Sequence, residues 1–313
     1  MLVVGPNLSV DQTVAVPRLM VGTIHRVPAI LRLAGGKGTN LARALRTLGE
    51  DPLLCGFVGG PTGEAYRAYL RAEGIAEGIA HQLVATRAET RVCFSIADES
   101  TSEQTEFYEA GAGVDPDEVE ALIATASAAM AGHDWLALTG SLPRGTPDDL
   151  YARLVALGRE RGLRVLVDAR EPALGRAIAA GPDVLKVNRD ELSAWADELV
   201  RTPDEAARAG AAALEAGARS AVITMGAAGA VALDATGCWH IAAPTWPVRS
   251  PVGSGDSAAA GLLVGLRQGM GLPEAARLAV AAGTANARHL GAGRFNRAEV
   301  DALLAQCRLR RML

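Results

Sequence analysis

Short apolar runs separated by longer amphipathic stretches constrain this chain more than any other feature. Leu53–Val58, Trp135–Thr139, Val165–Asp168, Val184–Val187 and Ala221–Met225 are apolar nearly throughout, the pattern of strands buried on both faces. Between them, apolar residues recur at helical spacing over Glu64–Glu73, Pro116–Met130, Pro147–Arg161, Asp190–Leu199 and Asp204–Ala216. Ser257–Gln268, Pro273–His289 and Arg297–Cys307 add helices in the last third. Alternating strand and helix argues for an α/β fold, a parallel sheet with helices on both faces. The 313 residues suffice for one large domain of this kind, spanning 1–313, plus a small insertion.

Two regions break the pattern. Gln12–Leu33 and Thr90–Glu109 are strand-like with little helical period. Val92, Phe94 and Ile96 alternate with Cys93, Ser95 and Ala97, and Phe107-Tyr108 follow a polar turn. These read as hairpins of a small antiparallel sheet projecting from the main domain, with edge strands of the main sheet as the alternative.

Composition narrows the function classes. With 49% hydrophobic and 21% charged residues the chain reads as an ordinary globular protein, and a net charge of −4 argues against a broad nucleic-acid footprint. The four cysteines, Cys55, Cys93, Cys238 and Cys307, have no C-x-x-C spacing and read as reduced thiols. The five histidines form no metal-ligand pair at i, i+4. Leu2-Val3-Val4 meets Gly5-Pro6 at once, too short for a secretory apolar core, and no run is long enough to span a membrane. A cytoplasmic location and no membrane partner are the expectations.

The segment Pro251-Val252-Gly253-Ser254-Gly255-Asp256 carries the strongest chemical signal. It opens an Ala/Gly/Leu-rich helix. Backbone N–H groups of Gly253, Ser254 and Gly255 can point at an anion, and the helix dipole adds positive potential there. Asp256 then lies within reach of whatever attacks that anion, the arrangement phosphoryl transfer needs. The alternative is a plain glycine turn with an acid in the first helical turn. A second segment, Gly35-Gly36-Lys37-Gly38-Thr39-Asn40, opens a helix carrying Leu41, Ala44, Leu45 and Leu48. Its glycines admit a ligand close to the backbone, Lys37 offers a cation and Asn40 a donor or acceptor, with a plain loop-to-helix junction and a solvated lysine as the alternative. It has neither P-loop nor dinucleotide-fingerprint spacing.

Together with Asn7-Leu8-Ser9-Val10-Asp11, Thr139-Gly140-Ser141-Leu142-Pro143, Asn188-Arg189-Asp190-Glu191 and Thr224-Met225-Gly226-Ala227-Ala228-Gly229, these segments resemble, in order along nearly the whole chain, the signatures of the ribokinase-like carbohydrate kinases of the phosphofructokinase B (PfkB) family. Leu8 replaces the proline of the first signature, and Pro251 and Ser254 depart from the commoner wording of the last, toward tagatose-6-phosphate kinases. Ala34 to Gly38, Glu89-Thr90-Arg91 and Thr139 to Pro143 look like the branch that phosphorylates an already phosphorylated sugar, which includes 1-phosphofructokinase, tagatose-6-phosphate kinase and the minor 6-phosphofructokinase.

The resemblance implies a Rossmann-like sandwich with a β lid over the sugar that often forms a homodimer interface. It implies ATP as donor, Mg²⁺ as cofactor and a ketohexose phosphate as acceptor, fructose 1-phosphate foremost, with tagatose 6-phosphate, fructose 6-phosphate and then an unphosphorylated sugar or nucleoside as alternatives. Asp256 is the expected base. Asp11, Gly36, Lys37 and Asn40 match the sugar-binding positions. Arg91 and Ser141 are candidates for the substrate's existing phosphate, with a strand-surface salt bridge as the other reading of Arg91. Asn188 and Glu191 would organise Mg²⁺ through waters, or form a helix cap, or both. Lys186 is a candidate for ATP phosphates or a solvated strand-end lysine. Thr224, Gly226 and Gly229 match the nucleotide turn, and Gly283 and Asn286 the late nucleotide-side helix, with close helix packing as the alternative.

Overall fold

A computed structural model describes residues 1–72, 78–101, 103–111 and 113–312. The chain runs β1 (Leu2–Val4), β2 (Ser9–Val16), β3 (Leu31–Gly35), α1 (Lys37–Thr47), β4 (Leu53–Val58), α2 (Gly60–Ala72), β5 (Ala80–Ala85), β6 (Arg91–Asp98) and β7 (Glu103–Tyr108). Then come α3 (Pro116–Ala129), β8 (Trp135–Thr139), α4 (Leu150–Glu160), β9 (Arg164–Asp168), α5 (Ala173–Ala179), β10 (Val184–Asn188), α6 (Arg189–Ala196), α7 (Pro203–Glu215) and β11 (Ser220–Thr224). The last part is β12 (Ala230–Asp234), β13 (Gly237–Ala242), α8 (Ser254–Arg267), α9 (Leu272–Asn286), α10 (Arg297–Leu304) and β14 (Arg308–Met312). The expected end of the second helix at Glu73 lies outside the described residues.

The strands form a 10-stranded sheet in the order β14-β13-β12-β11-β10-β9-β8-β1-β4-β5. From β11 to β5 every neighbouring pair is parallel, and β12, β13 and β14 extend the sheet antiparallel. Successive side chains of a strand point to opposite faces, so each buried strand supplies two cores. On β8, Ala137 packs with α1, α2, α8 and α9, while Leu136 and Leu138 pack with α3, α4, α5 and α7. That double burial is why these segments read as continuous apolar runs. β12 is likewise buried on both faces, with Ala230 and Ala232 in one core and Val231 and Leu233 in the other, whereas β13 and β14 lack such runs; β14 is Arg-Leu-Arg-Arg-Met at the sheet edge, where polar residues are tolerated.

The chain order reverses at β1, which pairs with β4 on one side and β8 on the other. Parallel strands all end at one edge, and in open α/β sheets ligands bind at that edge near the reversal. Here the edge gathers Asn7 after β1, Thr139 and Ser141 at β8, Asp168 at β9, Asn188 at β10 and Thr224 at β11. Helix α1 starts directly above β1: a Cβ on Gly38 would lie 2.8 Å from Gly5 Cα, so the two backbones touch.

The remaining strands form a separate 4-stranded sheet, β3-β2-β6-β7. The hairpin pairs β2–β3 and β6–β7 are antiparallel, as expected, and the two hairpins join through a parallel β2–β6 seam from Ser9↔Arg91 to Val16↔Asp98. The strand character expected across 12–33 is narrower: β2 stops at Val16 and β3 resumes at Leu31. Pro17 and Pro28 have no N–H for a ladder, and Gly22 sits at φ +80°. Among the described residues, no helix is long and apolar enough to cross a membrane.

The Gly5–Gly38 contact generates a stability prediction. Gly38→Val overpacks the β1–α1 junction and should cost about 1–3 kcal/mol. Calorimetry should show a lower melting temperature, and an unchanged one would mean that the junction opens freely.

Candidate functional site

The first turn of α8 is the centre of the site. Its N-cap, Gly253, holds φ +80°, and a Cβ there would lie 2.3 Å from Ala292 Cβ, so both the turn and the packing demand glycine. Ser254 N–H is engaged by Pro251 O at 3.1 Å, and Ser257 N–H begins the helical ladder on Gly253 O at 2.9 Å. Of the three expected anion donors Ser254 N–H is thus engaged, while Gly255, together with Asp256, carries a first-turn N–H group that a helix leaves without an intrahelical partner. The Asp256 carboxylate is buried and accepts from Asn40 Nδ2 at 2.9 Å. Burial pushes its pKa up to about 6; Lys37 opposes the rise and Asp168 adds to it.

Beneath that turn lies a cluster of charges. Asp168, fully buried at the end of β9, accepts from Lys37 Nζ at 2.9 Å and from Lys186 Nζ at 2.8 Å. Lys37 also reaches Glu191 Oε1 at 2.9 Å. Burial works against the charge on Asp168, but Lys186 and Lys37 outweigh it and hold the carboxyl below the usual range. Lys37 is likewise desolvated, yet Asp168, Glu191 and Asp256 raise its pKa. Lys186 is buried rather than solvated, and its Nζ lies 3.1 Å from where a Cβ of Gly255 would stand. Asn188 and Glu191 form a capping box: Asn188 Oδ1 accepts from Glu191 N at 2.8 Å, and Glu191 Oε2 accepts from Asn188 N at 2.9 Å.

Two cavities flank the segment that opens this helix: Ser254 and Gly255 line one, Ser250 and Val252 the other. One, of about 320 Å³, is lined by Thr224, Gly226, Gly229, Gly283, Ser254 and Gly255, with Pro244 to Val248 closing one side. Most positions expected on the nucleotide side lie there together. Asn286 does not; it is fully buried behind the wall, with Nδ2 on Val252 O at 2.8 Å and Ser254 Oγ at 3.2 Å, and Oδ1 on Gly293 N at 2.8 Å. It braces the loop before α8. Gly283 lines the cavity and also packs closely, since a Cβ would stand 2.9 Å from Ser254 O.

The other cavity, small and under the lid, is lined by Asp11, Ser95, Gln104 and Tyr108 from the lid and by Ser250, Val252 and Ala292 from the α8 side. Asp11 Oδ1 accepts from Ser9 Oγ at 2.6 Å, and the carboxylate sits so close to Gly35 that a Cβ there would overlap it. Burial raises the pKa of Asp11, opposed by Ser9, Arg43, Arg91 and the Gly36 N–H. Gly36 itself holds φ +87° at the N-cap of α1. Arg91 Nη2 donates to Asn7 O at 3.2 Å, and Asn7 Nδ2 donates to Ser141 Oγ at 3.0 Å, linking the two residues expected at a phosphate.

Sequence reasoning missed Asp168, Arg43 and Trp246. Asp168 ends a recognised strand run, but a lone acid at a strand end carries no spacing motif. Arg43 sits inside α1, where an arginine reads as solvated; it is buried. Trp246 lies in the Pro-flanked Thr245-Trp246-Pro247 run beside the larger cavity, with Arg288 stacked 4.8 Å from its ring centroid.

The raised pKa of Asp256 has a stability consequence. A carboxylate whose folded value exceeds its unfolded value weakens folding as pH rises between the two, here from about 4 to about 6. Asp256→Asn should therefore stabilise the protein by on the order of 2–3 kcal/mol above pH 7 and by progressively less toward pH 4. Thermal melts from pH 4 to 8 check this; an advantage independent of pH would reject it.

Residues 3–299 match the description "pfkB family carbohydrate kinase". The chain is 35% identical over 279 residues to 1-phosphofructokinase of Rhodobacter capsulatus, covering 89% of this chain and 87% of that protein. It is 29% identical over 303 residues to tagatose-6-phosphate kinase of Staphylococcus epidermidis, covering 96% of each. Among solved structures, the tetrameric inhibited form of phosphofructokinase-2 from Escherichia coli superposes with a TM-score of 0.87 at 27% identity, covering 97% of this chain and 98% of that one.

Proposed function

The chain belongs to the PfkB family of carbohydrate kinases, and from that premise we propose that it transfers the γ-phosphoryl of ATP to a free hydroxymethyl of a ketohexose phosphate. Fructose 1-phosphate is the acceptor, giving fructose 1,6-bisphosphate. The observation that carries this reading is the buried Asp256 in the first turn of α8, whose neighbours Ser254 and Gly255 line the cavity shared with Thr224 and Gly226 and whose carboxylate contacts Asn40 on α1. A nucleotide in that cavity and a sugar on the side of Asn40 and Asp11 would bring donor phosphorus and acceptor hydroxyl together beside one carboxylate.

In that arrangement the acceptor oxygen attacks the γ-phosphorus, and its proton passes to Asp256. The bond from phosphorus to the β–γ bridging oxygen breaks, and ADP keeps the electron pair. A pKa near 6 leaves Asp256 ionised at neutral pH and still a better proton acceptor than an ordinary aspartate. The Gly255 and Asp256 N–H groups and the Lys37 ammonium offset the phosphoryl charge. Asp11 accepts from sugar hydroxyls, while Arg91 and Ser141 hold the phosphate already present.

The donors near Glu191 suit Mg²⁺ bound through water. Among the described residues no cluster of His, Cys, Asp or Glu is built to hold a metal directly. Both Glu191 oxygens already accept, from Lys37 and from Asn188 N–H. Hard oxygen donors at the outer rim fit an ion that keeps its waters and rests on substrate phosphates. Such an ion supplies charge neutralisation to the phosphates, and Asn188 and Glu191 would hold its water shell. The exposed Phe107 and Tyr108 on β7, with Met20, Val21 and Ile24 on the lid loop, favour a homodimer through the lid, which sedimentation would detect.

The similarity to tagatose-6-phosphate kinase over 96% of the chain makes tagatose 6-phosphate the second acceptor to test. An ADP-release assay with Mg-ATP against fructose 1-phosphate, tagatose 6-phosphate, fructose 6-phosphate and free fructose decides among them. Fructose 1-phosphate should give the highest kcat/KM, and Asp256→Asn should lose on the order of 10²–10⁴-fold in kcat. Arg91→Ala should raise KM for the phosphorylated acceptor about 10-fold or more and leave KM for ATP unchanged. Activity on free fructose alone would reject the phosphate-anchor reading.

A further inference from the structure

Arg43 lies one turn along α1 from Asn40 and is 3% exposed. A guanidinium keeps its charge in a protein, so burying one is tolerable only when its donors are used. Nη1 donates to Asn40 Oδ1 at 3.1 Å and to Ala292 O at 2.7 Å, and Nη2 donates to Ala34 O. Ala34 belongs to the lid strand β3, and Ala292 is the residue against which the Gly253 turn packs. One side chain thus ties the root of the lid and the support of the α8 turn to the residue that contacts Asp256.

The consequence falls on Asn40. Its amide has an acceptor on one side and a donor on the other. Arg43 presents only donors and the Asp256 carboxylate only acceptors, so Oδ1 faces Arg43 and Nδ2 faces Asp256 Oδ2 at 2.9 Å. Turned over, the amide would set donor against donor and acceptor against acceptor. We infer that Arg43 is a positioning residue for phosphoryl transfer: by holding Asn40 in one orientation it keeps an N–H on Asp256 Oδ2 and leaves Oδ1 as the oxygen that takes the proton. This rests on the reading of Asp256 as the base.

The other charges facing Asp256 are Lys37 from α1, Asp168 from β9 and Lys186 from β10. None of them is changed in an Arg43 variant, which lets the acid limb of the rate report the Asn40 contact. The experiment is a single-turnover pH profile of the full chain with Mg-ATP and the preferred ketohexose phosphate, for wild type, Arg43→Gln, Asn40→Leu and the double variant. Asp256→Asn runs alongside, and circular dichroism checks each fold.

The expected result for Arg43→Gln is an acid limb moved up by about half to one pH unit, a rate at pH 7 reduced roughly three- to tenfold, and an unchanged KM for ATP. In the Asn40→Leu background the same change should move the limb no further. A limb that stays in place, even with a lower melting temperature, makes Arg43 merely structural and overturns the inference. An equal shift with and without Asn40 also overturns it, because it assigns the effect to the direct charge of Arg43. If Arg43→Gln does not fold, Arg43→Lys, which keeps the charge but not the planar fork, runs the same cycle with a smaller expected shift. Wild-type activity in Asp256→Asn would sink the base assignment itself; a dead Asp256→Asn with an unmoved Arg43→Gln limb would sink only the role of Arg43.

Discussion

The rest of the site depends on where the Asp168 carboxylate finds its counter-charges. It is fully buried at the end of β9, and an uncompensated charge there would cost several kcal/mol, so it must be paired from both sides. Lys186 comes from the neighbouring β10, and Lys37 comes from the first residue of α1. Lys37 in turn meets Glu191, which caps α6. One carboxylate therefore sets the ends of two strands and two helices relative to one another. It also crowds what packs above: a Cβ at Gly255 would stand 3.1 Å from Lys186 Nζ, so a side chain there would press on the ion pair.

The same cluster sets the chemistry at Asp256. Burial alone would make that carboxyl a poor anion, and the Lys37 and Lys186 ammonium groups pull it back toward ionisation. The balance leaves a carboxylate that is charged at neutral pH but poised to accept a proton, at a cost to folding that grows as pH rises from about 4 to about 6. Stability is exchanged for reactivity at one residue. The lid contributes Asp11 and Arg91 from β2 and β6, and their parallel seam keeps both at the root of the lid, near the main sheet.

Much of this was legible because it is local. The strands from Leu53, Trp135, Val165, Val184 and Ala221 are apolar on both faces, and burial on both faces of a parallel sheet leaves that mark in any sequence. The capping box of Asn188 and Glu191 is a short-range pattern and formed as spaced. β13 and β14, next to and at the sheet edge and mostly only partly buried, left no such mark, whereas β12 is apolar and buried on both faces over 230–233 and went unrecognised. Lid strand β6 was legible from the alternation of Val92, Phe94 and Ile96, whereas its parallel pairing with β2 was not, because register depends on a partner far along the chain. Asn286 matched a ligand-facing pattern, yet its side chain turned to the loop before α8, a choice made by its neighbours in space.

By itself the sequence determined the central buried strands, most of the helices and the glycine turns, and so where backbone N–H groups can be bared to an anion. Those properties rest on periodicity and on φ angles within a few residues. Only the tertiary structure decided which charge meets which. Lys37 and Asp168 are 131 positions apart, and Asn40 and Asp256 are 216 apart. They meet because the parallel strands end at one edge, where their order also reverses at β1, and because a buried charge in that crowded place must find an opposite charge or a hydrogen-bond partner.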